Sequence, residues 1–171
     1  MNIRFASVVL LAGTAALAAC AKKAPEELPP PPEPVTTPAP ATETGPSGPA
    51  VGSQAHFENA VNGQNVIYFD TDRYNIDSAD AAALQTQAQY LARYPQVTIT
   101  VEGHCDERGT RDYNLALGER RANAAKNYLV GLGVAANRIG VVSYGKERPV
   151  ALGSNESAWA QNRRAVSVVI N

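Results

Sequence analysis

The chain has little with which to do covalent chemistry. It holds two cysteines, Cys20 and Cys105, and two histidines, His56 and His104. Cys20 ends an N-terminal apolar segment, so the rest of the chain has one thiol. With no internal disulfide to form, a folded domain here must be held by its core. A catalytic zinc site needs about three well-placed ligands, and His104-Cys105-Asp106 cannot supply them, because neighbours at a strand end point to opposite sides. The same alternation takes His104 away from Cys105 and leaves that thiol without an activating base. No G-x-S-x-G and no glycine-rich phosphate loop occurs. The formal net charge is −1, which excludes a broad basic footprint for nucleic acid. No cofactor, metal or enzymatic activity is expected, and there is no internal repeat.

The ends of the chain differ from its middle. Arg4 precedes an apolar run from Phe5 to Leu17, too short for a comfortable membrane span and followed by small residues. Residues 1–19 read as a cleaved signal peptide. Leu17-Ala18-Ala19-Cys20 resembles the lipobox of bacterial lipoproteins, in which the cysteine becomes acylated. An ordinary signal peptide with an incidental cysteine is the alternative. Ala21 rather than Asp follows, which by the sorting rules of such proteins implies the outer membrane, with the domain in the periplasm. Ten of the twelve prolines fall between Lys22 and Ser53. Residues 20–53 therefore read as a lipidated N-terminus and a polyproline-rich disordered tether, whose ~32 residues would reach on the order of 100 Å if fully extended.

Residues 54–171 make one domain. A strand is predicted over Asn65–Asp70. Ser78 is the expected N-cap of a helix in which Leu84, Ala88 and Leu91 recur, ended by Pro95. Gln96–Glu102 alternates as a strand with Val97, Ile99 and Val101 on its buried face. A second helix spans about Asp112 to Leu132, closed by Gly133. Strands over Ile139–Tyr144 and Ala165–Ile170 follow, with a short helix over Asn155–Gln161. The fold class is α+β: a βαβαβ sandwich with two main helices on one face of a small mixed four-stranded sheet.

Gly103 to Ala122 holds eight charged side chains at a strand-to-helix junction. On the second helix Leu117, Ala124, Tyr128 and Leu132 form the expected apolar stripe, and Arg121 interrupts it. A charge on a packing face is costly unless paired, and Asp106 is the available partner. Two readings stand: a structural Arg121–Asp106 bridge, or a polar pocket where both face a ligand. In the second, a guanidinium grips a carboxylate, an aspartate accepts from an ammonium, and the helix N-terminus adds N–H groups. That set suits a zwitterion.

The stretch GHCDERGTRDYNLALGERRANAAKNYL, with YFDTDRYNI, VSYGKERP and NRRAVSVVI, resembles the OmpA-like peptidoglycan-binding domains, above all the lipoprotein members that work in the Tol–Pal system. The resemblance covers nearly all of residues 65–170. It implies a non-enzymatic protein that holds the outer membrane to peptidoglycan through the diaminopimelate of stem peptides. Asp106 would take the ammonium and Arg121 the carboxylate, with Asn114, Thr110 and Leu117 shaping the loop and helix start. Asp70, Thr71 and Asp72 would form a second wall, an Asx turn being the alternative for the two aspartates. The resemblance further implies TolB, and possibly TolA, as partners in outer-membrane constriction at division, with Glu119 and the Cys105 neighbourhood touching TolB. One departure stands out: Cys105 occupies a position where these lipoproteins more often have alanine. A peptidoglycan hydrolase would need a nucleophile or acid/base pair. A motor stator of this family would need a transmembrane helix.

Overall fold

The structure, a computed structural model, describes residues 48–170. The expected signal peptide, Cys20 and the tether up to residue 47 lie outside the described residues. Among the described residues nine elements run in order: α1 (Gln54–Ala60), β1 (Val66–Tyr68), α2 (Ser78–Arg93), β2 (Thr98–His104), α3 (Arg111–Gly131), a 3-10 turn (Ala136–Arg138), β3 (Ile139–Gly145), α4 (Glu156–Asn162) and β4 (Arg164–Ile170). The sheet order is β1-β4-β2-β3. β2 and β3 run parallel, while β4 is antiparallel to both β1 and β2. The expected α+β sandwich with a mixed sheet is what forms.

The alternation in β2 fixes which face is covered. Ile99 and Val101 are fully buried beneath the two long helices, together with Leu84 and Leu91 of α2 and Ala122 and Leu129 of α3. Gln87 of α2 accepts a 2.6 Å hydrogen bond from Ser167 of β4, joining helix to sheet by a buried polar contact.

Several boundaries differ from expectation. The β1 ladder stops at Tyr68, because the chain turns at Asp70, where Arg73 N–H donates to the Asp70 carbonyl. The cap of α2 is Asp77, whose carboxylate accepts from Asp80 N–H at 2.8 Å. α1 was not expected; Ser53 caps it and Phe57 is its one buried residue. The apolar stripe of α3 is rotated: Leu117, Arg121, Ala125 and Leu129 face inward, while Leu132 is 42% exposed. Steps of four residues keep those positions on one face. The charge at 121 disguised the run, and the apolar residue at 132 suggested another.

β2 and α3 touch backbone to backbone. A methyl group at Gly103 would overlap the carbonyl of Gly118, and one at Gly118 would overlap the Ser143 hydroxyl. Ser143 is itself held by a 2.7 Å bond to the Leu115 carbonyl. Neither neighbour is the free end of a flexible chain, so Gly103→Ala should destabilise the domain by about 3 kcal/mol, the upper part of the usual overpacking range. Urea unfolding of residues 48–171 would measure this; an unchanged midpoint would mean that α3 can lift off β2.

His104, at the end of β2, is 2% exposed, and neither ring nitrogen has a hydrogen-bond partner. The Glu102 carboxylate stands 3.6 Å away, too far for a hydrogen bond. Burial, then the charges of Arg164 and Arg148, push its pKa down to about 4. The ring is thus neutral when folded but titrates near pH 6.5 when unfolded. Stability from this group is complete above pH 6.5 and falls as the pH drops toward 4, by on the order of 2 kcal/mol. Unfolding free energies at pH 7.5 and 4.5 should show that loss, and His104→Leu should flatten it.

Candidate functional site

The charged stretch becomes a tight loop laid across the start of α3. β2 slips register between Gly103 and His104, and Cys105 N–H then donates to Gly145 O at 2.8 Å. Gly109 takes φ 85°, a conformation that favours glycine. Thr110 caps α3, accepting from Tyr113 N–H at 3.3 Å. Asn114, 2% exposed, donates to the carbonyls of Arg108 and Thr110 at 2.7 and 3.1 Å. Lys146 closes the outside by donating to the carbonyls of Glu107 and Gly109. Each carbonyl of the loop that a partner holds is one fewer degree of freedom at the site.

Beside this loop lies a cavity of about 250 Å³. Cys105 and Asp106 line it from the loop after β2, Asn114, Leu117 and Arg121 from α3, and Thr71 and Asp72 from the segment after β1. Arg108, Gly109 and Tyr113 complete it; none of these three was singled out from the sequence. Asp72 sits at φ 55°, a left-handed conformation costing a non-glycine residue roughly 1 kcal/mol. It accepts from the Tyr113 hydroxyl at 3.2 Å, which bridges the two walls. Asp70 turns away, into a neighbouring cavity of about 320 Å³ with Asp77, Asp80 and Arg163. Thr110 serves as the cap, and Glu119 is exposed on α3 over a broad groove with Tyr74 and Asn123.

The two central charges do not pair with each other. Arg121 is 1% exposed. Its Nε donates to Arg73 O at 2.9 Å, Nη1 to His104 O at 2.8 Å and Cys105 Sγ at 3.4 Å, and Nη2 to Asp70 O at 3.0 Å. Its plane also lies 5.2 Å from the Phe69 ring centre. Of the two readings, the structural Arg121–Asp106 bridge is therefore absent: backbone carbonyls surround the guanidinium and leave one of its five N–H groups unspent. Asp106 pairs instead with Arg108 at 2.7 Å, with Arg163 behind it at 3.6 Å. Burial raises the Asp106 pKa, but hydrogen bonds from Arg108 and the charges of Arg108 and Arg163 outweigh it and hold the carboxyl below its ordinary value.

Cys105 is 3% exposed and donates to Asn114 O at 3.3 Å. Burial raises its pKa to about 11, so it stays a thiol and a poor target for oxidation. A protein partner would reach its neighbourhood rather than its sulfur. Among the described residues no group of three His, Cys, Asp or Glu side chains is placed to hold a metal ion.

Sequence and structure comparisons give one answer. The model of the OmpA family matches residues 68–163. A peptidoglycan-associated lipoprotein of Rhizobium meliloti is 48% identical over 95% of this chain and 86% of its own length. That of Mesorhizobium japonicum is 44% identical over 95% and 90%. The crystal structure of the peptidoglycan-associated lipoprotein from Burkholderia pseudomallei superposes with a TM-score of 0.64 at 48% identity, covering 66% of this chain and 96% of that one. The C-terminal domain of Helicobacter pylori MotB shares the fold, with a TM-score of 0.58 at 21% identity over 62% of this chain and 84% of that one. The match spans both walls of the cavity and the loop between them, and the chain belongs to the OmpA family, within its group of peptidoglycan-associated lipoproteins.

Proposed function

We propose that this domain holds peptidoglycan noncovalently by seating the free end of a diaminopimelate stem residue in the cavity between Asp106 and α3, and that the chain is a lipid-anchored outer-membrane protein. The observation that carries this is the composition of the cavity. A carboxylate held in its charged form faces guanidiniums and the start of a helix across a space of about 250 Å³, which complements an ammonium and a carboxylate on one carbon. No residue in it is set up as a nucleophile. Acylation at Cys20 supplies the membrane end, and the proline-rich segment sets the span. The names of the relatives agree with wall association.

Within that role the chain acts with TolB, and with TolA behind it, in the Tol–Pal system during outer-membrane constriction at division. The exposed α3 surface around Glu119 adjoins the cavity, so TolB and peptidoglycan compete. Simultaneous capture in a three-component pulldown would refute that. For the wall contact itself, residues 48–171 are sedimented with purified sacculi, with free diaminopimelate as competitor. Pelleting that the competitor abolishes is expected. A folded domain that stays in the supernatant would sink the wall-binding reading and leave the TolB contact as the leading role.

A further inference from the structure

The neighbouring cavity of about 320 Å³ lies between the end of β1, the start of α2 and α4. The carboxylates of Asp70, Asp77 and Asp80 line it, and among the described residues none of the three is in an ion pair. Arg163 is the one cation of its wall, and that charge is committed elsewhere. Its Nε donates to Phe69 O at 2.9 Å and its Nη2 to Glu156 at 2.7 Å, while Nη1 stands 3.6 Å from Asp106. Asp80 carries the sharper signal. It is 7% exposed; its Oδ1 accepts from Tyr68 N–H at 3.0 Å, but its Oδ2 is buried and has no hydrogen-bond partner. Buried polar atoms are rarely left so. Burial, with the charges of Asp77 and Asp70 added, raises the Asp80 pKa against the bond from Tyr68. The fold thus holds an acid where it supplies no counter-charge.

We propose that this second cavity binds a primary alkylammonium, the ε-ammonium of a lysine side chain or a free diamine, with Asp80 Oδ2 as its innermost acceptor. Three carboxylates against one committed guanidinium call for a cation. Among the described residues no three acidic side chains are placed to hold one metal ion, so the cation is an organic one. A guanidinium would need both oxygens of a carboxylate for its fork, and Tyr68 already occupies one oxygen of Asp80. An ammonium takes single oxygens from separate acceptors. Asp77, whose Oδ1 accepts from Asp80 N–H at 2.8 Å, has its other oxygen to offer. Tyr68, Phe69 and Ala160 also line the cavity and give a methylene stem an apolar path. The cavity beside Asp106 suits a zwitterion; here no guanidinium is free for a ligand's carboxylate, so the two differ in what they admit.

The test is an amide NMR titration of the full chain in detergent. The probes are lysine capped at both ends, cadaverine, arginine capped in the same way, and the capped lysine with its ε-amine acetylated. The amides of Tyr68 and Asp80 donate to the carboxylates of Asp80 and Asp77 and are the reporters. Both should shift with an ammonium probe and stay in place with the acetylated one, and capped arginine should bind more weakly than capped lysine. The tighter of the two ammonium probes tells a side chain from a free amine. Asp80→Asn keeps an oxygen for Tyr68 N–H and removes the charge, so affinity should fall about tenfold or more, the loss of one buried charge-assisted bond. Asp77→Asn keeps the cap of α2, since asparagine caps as well as aspartate, and should weaken binding about threefold, as for an exposed pair. Unchanged affinity in Asp77→Asn and Asp80→Asn would overturn the proposal, and so would unchanged affinity in Asp77→Asn alone if Asp80→Asn fails to fold. Capped arginine that binds as tightly as lysine would overturn it too. Reporters that move with no probe would mean that water alone fills the site, and the inference would fall.

Discussion

Arg121→Ala should lower the unfolding free energy of the domain by about 4 kcal/mol, because it empties a buried site and takes from three carbonyls a charged donor whose bonds contribute roughly 1.5–3 kcal/mol each before compensation. Those carbonyls belong to Asp70, Arg73 and His104. They lie on both sides of the cavity, so one side chain fastens the end of β2 to the turn after β1. Arg121→Lys should recover less than half of the loss, since a single ammonium cannot reach three directions from one plane. Urea unfolding of the three proteins measures this directly. A loss below about 1 kcal/mol in the alanine variant would mean that water replaces the guanidinium, as at an exposed site. The resemblance implies that this residue holds a ligand's carboxylate. The structure gives it mostly backbone, so reduced wall binding by Arg121→Ala has to be corrected for the folded fraction.

Asp106→Ala should weaken pelleting with sacculi by about thirtyfold or more, the effect of removing one partner of a desolvated charge contact, about 2–5 kcal/mol. The alanine also takes from Arg163, whose side chain is 7% exposed, the carboxylate 3.6 Å away and leaves it Glu156 at 2.7 Å, so some loss of stability accompanies the loss of binding. Asp106→Asn separates the two effects. It keeps one oxygen acceptor for Arg108 and removes the charge that attracts an ammonium, so it should lose less stability than the alanine variant and still bind poorly. Equal binding by Asp106→Asn and the wild type would show that the carboxylate shapes the loop and does not meet the ligand. Because the folded Asp106 titrates below its ordinary range, wild-type binding should persist as the pH falls to that range and fail only beneath it.

How much of this was legible beforehand follows from what each signal depends on. Alternation and capping are local, so β2, α2 and α3 could be read to within a few residues, as could the sheet and the side of it that the helices cover. The stripe of α3 could not. Its buried positions hold Asn114, Gly118 and Arg121, residues whose burial depends on partners from distant segments. α1 was hidden for a related reason: a seven-residue helix after a proline-rich stretch has no period to detect, and its hold on the domain comes from Phe57 and from Gln54, which accepts from Val169 N–H at 2.7 Å. At the site, motif and resemblance brought Asp106, Asn114, Leu117 and Arg121 to one cavity. Which charges pair within it was not legible. Arg108 lies two residues from Asp106, and only the loop geometry turns its side chain back onto that carboxylate.

The backbone contact between Gly103 and Gly118 has a consequence for rates. With no side chain between them, β2 and α3 have no soft layer to shear along. The cavity's two main walls can then part only when the core of the domain opens. Amide exchange at those two strips should therefore track global unfolding, and entry to the cavity is left to the quickest part of the site, the side chains at its rim, which reorient in nanoseconds or less. Escape of a bound stem is then set by how long the ion pairs at that rim survive, so the lifetime of the wall attachment should shorten steeply with salt while the domain beneath it remains unmoved.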